Sequence, residues 1–416
     1  MGIPADGTVV VGGGPAGLAA AIELRRLGAG AVTVVERERD PGGIPRHSNH
    51  TGFGVRDLRR VLSGPRYARR YADLAERAGV EVVAETMVTG WEGARRLQLT
   101  GPGGRWETEP AAVVLASGCR ERPRSARLVP GSRPAGVMTT STLQQLVYLH
   151  GQRVGRRAVV VGAEHVSFSA VATLAHGGAT VAAMVTELPR HQTLAAFRAG
   201  AALRYRARVW TRTRLAAIQG GPRVEEVELI DLDTGRTERV ACDLVVFTAD
   251  WIPDAELAAL AGCELDPATR GPRADPALRT TVPGVFGAGN VLHPAEPADV
   301  AALDGRHAAA AVAAHLGGEG EGWPFRSVAF TAAPPLRWVF PNLVSPDSVP
   351  PPRDSFLVRP GEFARGPRIE VLQARRTLWE SRVRRLVPGR SARIPGGWTR
   401  DVDPGAGPVS VRARPR

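Results

Sequence analysis

The chain opens on a β-branched run, Thr8-Val9-Val10-Val11, followed at once by Gly12-Gly13-Gly14-Pro15-Ala16-Gly17 and an Ala/Leu-rich stretch to Leu27. Four apolar residues, a glycine turn and a helical period predict strand, turn and helix. A second strand follows from Ala31 to Val35, and Val113-Val114-Leu115-Ala116 adds another continuous apolar run. The same outline recurs at Ala158-Val159-Val160-Val161-Gly162, with a helical stretch and then Thr180 to Val185. Strands buried on both faces and alternating with helices predict an α/β fold with parallel sheets. After Pro334-Pro335 and Pro350-Pro351-Pro352 the period changes to alternation, as at Ile369, Val371 and Trp379-x-Ser381-x-Val383. That pattern predicts a small C-terminal β domain with a hairpin turn near Arg375-Arg376.

Length and composition limit the function classes. The chain has 416 residues, 43% of them hydrophobic, more than one core usually absorbs, so two or three domains are expected. No apolar run reaches the length of a membrane span, and the N-terminus enters a strand without a leader pattern, so the expectation is a soluble, cytoplasmic protein. Cys119, Cys242 and Cys263 are widely spaced and include no CxxC pair; buried thiols are expected, with no disulfide framework and no metal site. The formal charge is +13, all 54 basic residues being Arg. Residues 353–416 hold 15 Arg against 6 Asp or Glu, so the basic excess belongs to the tail, as a solvated surface or a patch that steers an acidic partner. No zinc-finger, RNA-recognition or helix-turn-helix pattern supports nucleic acid.

The N-terminal glycines form a dinucleotide fingerprint. Gly12 permits the tight turn, Gly14 lets backbone approach a pyrophosphate, and Gly17 lets helix pack on strand. Pro15 and Ala16 open the helix whose N-terminus receives the negative charge. Glu36 ends the second strand 19 residues beyond Gly17, where an acid accepts the ribose hydroxyls and repels a 2'-phosphate. FAD or NAD is therefore favoured over NADP here.

The rest of the pattern resembles the two-dinucleotide-binding flavoproteins of the pyridine nucleotide-disulfide oxidoreductase class. Val113 to Gly118 ends in small residues where that class returns past the cofactor, and Thr281 to Asn290 resembles its second flavin motif. Asp299 to His315 corresponds to the helix that points its N-terminus at the flavin. The resemblance implies bound FAD, with contacts at Arg37, Gly43, Val88, Ser117, Gly118, Gly289, Asn290 and Val300 besides those above. Asn290 departs from the usual Asp, keeping an acceptor and adding donors. The implied architecture is a discontinuous FAD domain of residues 1–136 and 272–316. A Rossmann-like NAD(P)-type domain of residues 137–271 is inserted in it, and a β-rich domain, 317–416, follows.

The second glycine turn lacks the expected chemistry. Glu164 stands near the place of the pyrophosphate-facing glycine and Ser167 at the third. A carboxylate about 4 Å from a phosphate charge costs on the order of 4 kcal/mol at an effective dielectric near 20. A structural scaffold is favoured over an NAD(P) site, although Arg190 and His191 follow the second strand and can hold a 2'-phosphate.

Gly42-Gly43-Ile44-Pro45-Arg46-His47-Ser48-Asn49-His50 occupies the place where disulfide reductases of this architecture carry a redox Cys pair. Without Cys a thiol-disulfide relay is excluded. This stretch, with Gly64 to Ala68, Gly118 to Pro123 and Pro134 to Val137, resembles the flavoproteins grouped around hydrogen cyanide synthase and opine oxidase subunits and those associated with anaerobic glycerol-3-phosphate dehydrogenase. The resemblance, over about residues 7–316, implies a second flavoprotein and a small iron-sulfur protein as partners. His47 or His50 is the candidate base or substrate-positioning group, with Arg46 on the cofactor pyrophosphate or a substrate carboxylate; the alternative is that all three only bind loop backbone. His293 ranks below them. Asp250 and Trp251 read as turn or packing residues. The expected function is FAD-dependent oxidation of an amino acid, opine or hydroxy acid. An electron-relay or non-catalytic flavoprotein and an NAD(P)H-dependent flavin reductase are the alternatives.

Overall fold

The structure is a computed structural model and describes residues 5–193, 195–318, 323 and 327–415. The chain forms two compact units. One holds the chain up to Arg46, Thr51–Cys119 and everything from Pro253 onward; the other holds His47–His50 and Arg120–Ile252. Among the described residues no helix is long and apolar enough to cross a membrane.

The first unit is built on a five-stranded parallel sheet in the order Val285–Gly287, Ala112–Leu115, Thr8–Val11, Val32–Val35 and Glu81–Val83. Four of these strands, all but the edge strand Glu81–Val83, are buried throughout, which is why they read as continuous apolar runs. The helix Pro15–Arg26 and the long helix Ala298–Leu316 pack on each other almost backbone to backbone. A Cβ at Gly305 would stand 2.0 Å from the Ala16 carbonyl oxygen, so only glycine fits that crossing. Three antiparallel strands, Met87–Glu92, Arg96–Gly101 and Gly104–Thr108, complete this part.

The second unit repeats the plan, with parallel strands in the order Val137–Thr139, Leu244–Phe247, Arg157–Val161, Thr180–Val185 and Val209–Trp210. An antiparallel sheet of Thr213–Gly220, Val224–Asp231 and Thr237–Ala241 accompanies it. The units divide at residues 119/120 and 252/253, whereas the sequence placed the boundaries at 136/137 and 271/272. Packing explains the difference. Ala255, Ala258, Ala261 and Cys263 share a core with Val9, Val11 and Leu115 of the first unit. Residues 124–132 instead belong with the second, where Arg124 donates to the Val129, Pro130 and Ser132 carbonyls.

The C-terminal region is β-rich. Arg368–Gln373 and Arg376–Arg382 pair as the hairpin expected around Arg375, within a sheet that also includes Val409–Arg414, Val328–Ala332 and Leu343–Val344. A second sheet, of Leu336–Phe340, Ser355–Pro360 and Ala392–Pro395, shares its core around Phe330, Phe356 and Trp398. This region clusters with the first unit because Trp338, Phe340 and Leu357 enter the core of Val10, Leu18 and Phe286.

Among the described residues, six arginines of the basic tail form internal ion pairs. Arg353 donates to Asp304 at 2.5 Å and Arg359 to Glu296 at 2.7 Å, while Arg368, Arg376, Arg412 and Arg414 also find carboxylates. Arg359 lies over the Trp338 ring at 4.9 Å and reaches the Gly389, Pro294 and Ala295 carbonyls. Burial pushes its pKa down and Glu296 opposes the shift. The Arg359–Glu296 side chains are 7% and 10% exposed, against 44% and 48% for Arg368–Glu380. Breaking the buried pair with Arg359→Ala is expected to cost about 3–5 kcal/mol, and Arg368→Ala about 0–1 kcal/mol. Denaturant midpoints of the two variants check this; equal midpoints would contradict it.

Candidate functional site

In the first unit the three cofactor segments named from sequence leave the same edge of one sheet. Gly12–Gly14 follow Thr8–Val11, Ser117–Gly118 follow Ala112–Leu115, and Gly289–Asn290 follow Val285–Gly287. The carboxyl edge of a parallel sheet is where such folds bind ligands. Gly12 has φ +107, a conformation that L side chains rarely adopt, and a Cβ at Gly17 would lie 2.0 Å from the Gly12 carbonyl oxygen. A Cβ at Gly14 meets nothing within 4 Å.

Gly14 is the N-cap of Pro15–Arg26 and brings no side chain to it; no acid occupies the first turn. The positive end of that helix thus has no anion from its own cap or first turn. Glu36 is buried and accepts the Gly13 amide (2.8 Å) and the Glu38 amide (2.8 Å). It fixes the glycine turn, and each oxygen keeps a lone pair for a ribose hydroxyl. These residues fit a dinucleotide pyrophosphate and adenosine ribose.

The other implied contacts surround this edge or lie close by it in the chain. Arg37 is exposed, Gly43 comes within a Cβ contact of 3.0 Å to the Gly14 Cα, and Val88 is buried at the start of Met87–Glu92. Ser117 Oγ donates to the Asp254 carbonyl (2.7 Å), and the Gly118 carbonyl accepts the Asp254 amide. Gly289 packs on Ala16 and Ala301, and Ala16 and Val300 are buried. Asn290 accepts the Glu296 amide (2.8 Å) and donates to its carbonyl (3.0 Å). Its amide therefore pins the loop that follows, with one N–H and one lone pair to spare.

The stretch from Gly42 to His50 is divided between the units. Arg46 contacts Glu38 (3.4 Å) and Asp40 (3.3 Å) in the first. His47 and His50 belong to the second; His47 is buried, His50 exposed, and between them Ser48 Oγ donates to Gln144 Oε1. None of the three cysteines forms a disulfide. Burial pushes the Cys242 thiol up to about 11 and also raises that of Cys263. Among the described residues no group of three or more His, Cys, Asp or Glu is arranged to hold a metal ion.

Two networks escaped the sequence reading. His293 is wholly buried, its Nε2 2.9 Å from Asp304 Oδ2 and its ring 4.7 Å from that of Phe340. Although burial raises the Asp304 pKa, Arg353 and His293 outweigh it and hold the carboxyl below the usual range. His293 is thus a brace between the long helix and the C-terminal sheet. Only the apolar residues on either side of Asp304 hinted that it points inward. Asp299, in the first turn of the long helix, likewise receives Arg56 at 3.0 Å.

The second unit's glycine turn is closed by its own chain. Glu164 is the N-cap of His165–His176; it accepts the Ser167 amide (3.2 Å) and Ser167 Oγ (2.8 Å), while Thr248 Oγ1 donates to Oε1. Ser167 Oγ in return accepts the Glu164 amide, completing a capping box. The carboxyl stands where the first unit leaves the helix end bare. Asp250 serves the adjacent turn, accepting from Arg122 through both side chain (3.1 Å) and backbone carbonyl.

Glu121 in the same unit accepts the Ser141 amide at 2.6 Å, and burial pushes its pKa up to about 7. A carboxyl whose folded value lies above its unfolded value stabilises the fold below the unfolded value and loses that contribution as pH rises. Between the ordinary 4.5 and about 7 this amounts to on the order of 3 kcal/mol. Glu121→Gln is therefore expected to raise the unfolding free energy by about that amount at pH 8 and to change it little at pH 4.5. An equal effect at both pH values would contradict the assignment.

The family described as pyridine nucleotide-disulphide oxidoreductase matches residues 7–315. An opine oxidase subunit of Agrobacterium tumefaciens is 29% identical over 339 residues, which are 74% of this chain and 65% of that protein. The hydrogen cyanide synthase subunit HcnB of Pseudomonas aeruginosa is 35% identical over 141 residues, 33% of this chain and 29% of that protein. The chain thus spans less than two thirds of either relative. Thioredoxin reductase of Lactococcus lactis superposes with a TM-score of 0.62 at 21% identity, covering 75% of this chain and 99% of that one; this is a likeness of fold. Three glycine-bearing turns leave one sheet edge and the family match runs through all of them; the chain belongs to the pyridine nucleotide-disulphide oxidoreductase family.

Proposed function

We propose that this protein oxidises a small amino acid, opine or hydroxy acid in the cytoplasm and passes the electrons to a partner, a second flavoprotein or a small iron-sulfur protein. The observation that carries this reading is Glu164. Its carboxyl caps the helix end that a dinucleotide pyrophosphate would need, through the Ser167 amide and two hydroxyls. A carboxyl at that helix end disfavours a nicotinamide route, and with no Cys pair in the chain an organic substrate is favoured as the electron source. The similarity to an opine oxidase subunit favours the same substrate class, and both relatives are named as subunits.

The turns at Gly12–Gly14, Ser117–Gly118 and Gly289–Asn290 would hold FAD, which would supply an acceptor for the hydride of the substrate carbon. His47 or His50 would take the proton from the substrate nitrogen or oxygen, so that of the two electrons and two protons lost by the substrate the base would receive one proton and the cofactor the hydride. His50 is exposed, as the base role requires; His47 is buried and suits positioning. Arg46 can exchange its long contacts to Glu38 and Asp40 for the cofactor pyrophosphate or a substrate carboxylate.

Anaerobic mixing of the flavin-loaded protein with amino acids, opines, hydroxy acids, NADH and NADPH tests the proposal. Bleaching of the flavin band by an organic substrate, slowed in His47→Ala or His50→Ala, is expected. NADH and NADPH are expected to leave the wild type yellow and to bind more tightly once Glu164→Gly opens the turn. Rapid bleaching of the wild type by either nucleotide would overturn the reading. Bleaching by none until a partner flavoprotein is added would make the chain an electron relay.

A further inference from the structure

The helix Gly64–Arg77 buries Gly64, Tyr67, Ala68, Tyr71 and Ala75, while Arg66, Arg69 and Asp73 are exposed and Arg70 is half-buried. Arg66, Arg69, Arg70 and Asp73 fall at positions i, i+3, i+4 and i+7, one face of a helix. Together with Arg60 and Leu62 from the preceding segment they line a concavity of about 260 Å³. Nearby arginines with structural tasks are matched: Arg56 pairs with Asp299, and Arg306 donates to the Asp57 carbonyl and the Tyr71 hydroxyl. Among the described residues, Arg60, Arg66, Arg69 and Arg70 make no ion pair and no side-chain hydrogen bond.

The placement runs against the helix's own stability. Like charges three and four residues apart repel, and cations near a helix N-terminus oppose the macrodipole. The N-cap, Ser63, makes no side-chain bond to the helix, and no acid stands in the first turn. An anion in the concavity reverses both terms, since it screens the guanidinium groups from one another and faces the positive helix end. Arg is the side chain whose planar fork matches phosphate oxygens in bidentate fashion. Arg66 and Arg70 are four residues apart, about 6 Å along the axis, a span that suits two linked phosphates better than one carboxylate. Asp73 also lines the concavity, C-terminal to the arginines; its carboxylate repels phosphate, so the phosphates belong with Arg66 and Arg70 and Asp73 can accept only hydroxyls.

We propose that this concavity binds a pyrophosphate-bearing small molecule of the nucleoside diphosphate class, separately from the FAD site. The reading does not depend on the proposed substrate oxidation. Calorimetric titration of the flavin-loaded protein with inorganic phosphate, pyrophosphate and ADP tests it. Pyrophosphate and ADP are expected to bind more tightly than phosphate, and Arg66→Ala/Arg70→Ala to weaken both by roughly 100-fold while flavin content stays unchanged. ADP binding more tightly than pyrophosphate identifies a nucleotide as the source; equal binding identifies inorganic pyrophosphate. No binding up to about 1 mM, or wild-type binding by the double variant, would overturn the proposal. So would saturation by an acidic polyglutamate peptide in preference to both phosphates, which would assign the surface to an acidic protein.

Discussion

The positive end of a helix must be satisfied by something, and this chain answers that requirement in two opposite ways. Pro15–Arg26 starts at Gly14, which contributes no side chain, so that helix end stands open to an anionic ligand. His165–His176 starts at Glu164, whose carboxyl is the anion. The backbone is nearly the same at both caps, φ −78 and ψ −175 at Gly14 against φ −102 and ψ −173 at Glu164. One side chain on a common scaffold therefore separates a helix end left open from one capped by its own carboxyl. Burial raises the Glu164 pKa while Thr248 and Ser167 oppose it, and in either protonation state the side chain fills the same space.

The C-terminal region is tied to the cofactor domain through this same neighbourhood. Arg359 gathers Glu296 and the Pro294 and Ala295 carbonyls, and Asn290 holds the Glu296 backbone. Arg353 reaches Asp304, which also receives His293. The turn and loop from Gly289 to Glu296 thus stand between the parallel sheet and two arginines of the β-rich C-terminal region. Such buried pairs hold geometry well because losing one partner strands the other. This gives part of the tail's positive charge a structural task.

Much of the fold was legible because its signals are local. Strands buried on both faces read as valine runs, and the glycine turns at Gly12 and Gly162 punctuate them. The mismatch at Glu164 was also visible, although its capping box was not, since Thr248 comes from a strand end far along the chain. The β-rich tail and its hairpin near Arg375 followed from alternation alone. The unit boundaries were less legible, because Ala255 to Cys263 carry no marker of which sheet they will cover. The partners of His293, Asn290 and Arg359 depend on long-range packing that no single-sequence period encodes. Glu121 gave no warning of its burial.

The contrast between the two helix ends can be tested by exchanging their chemistry. Gly14 has a backbone conformation open to any residue and clear space for a Cβ, so Gly14→Glu grafts the second unit's cap onto the first without steric strain. The measurement is bound FAD per folded chain, by absorbance after gel filtration, alongside circular dichroism. The account predicts a folded, colourless variant beside a yellow wild type. A folded variant that still carries one FAD per chain would contradict the claim that the bare helix end at Gly14 holds the cofactor.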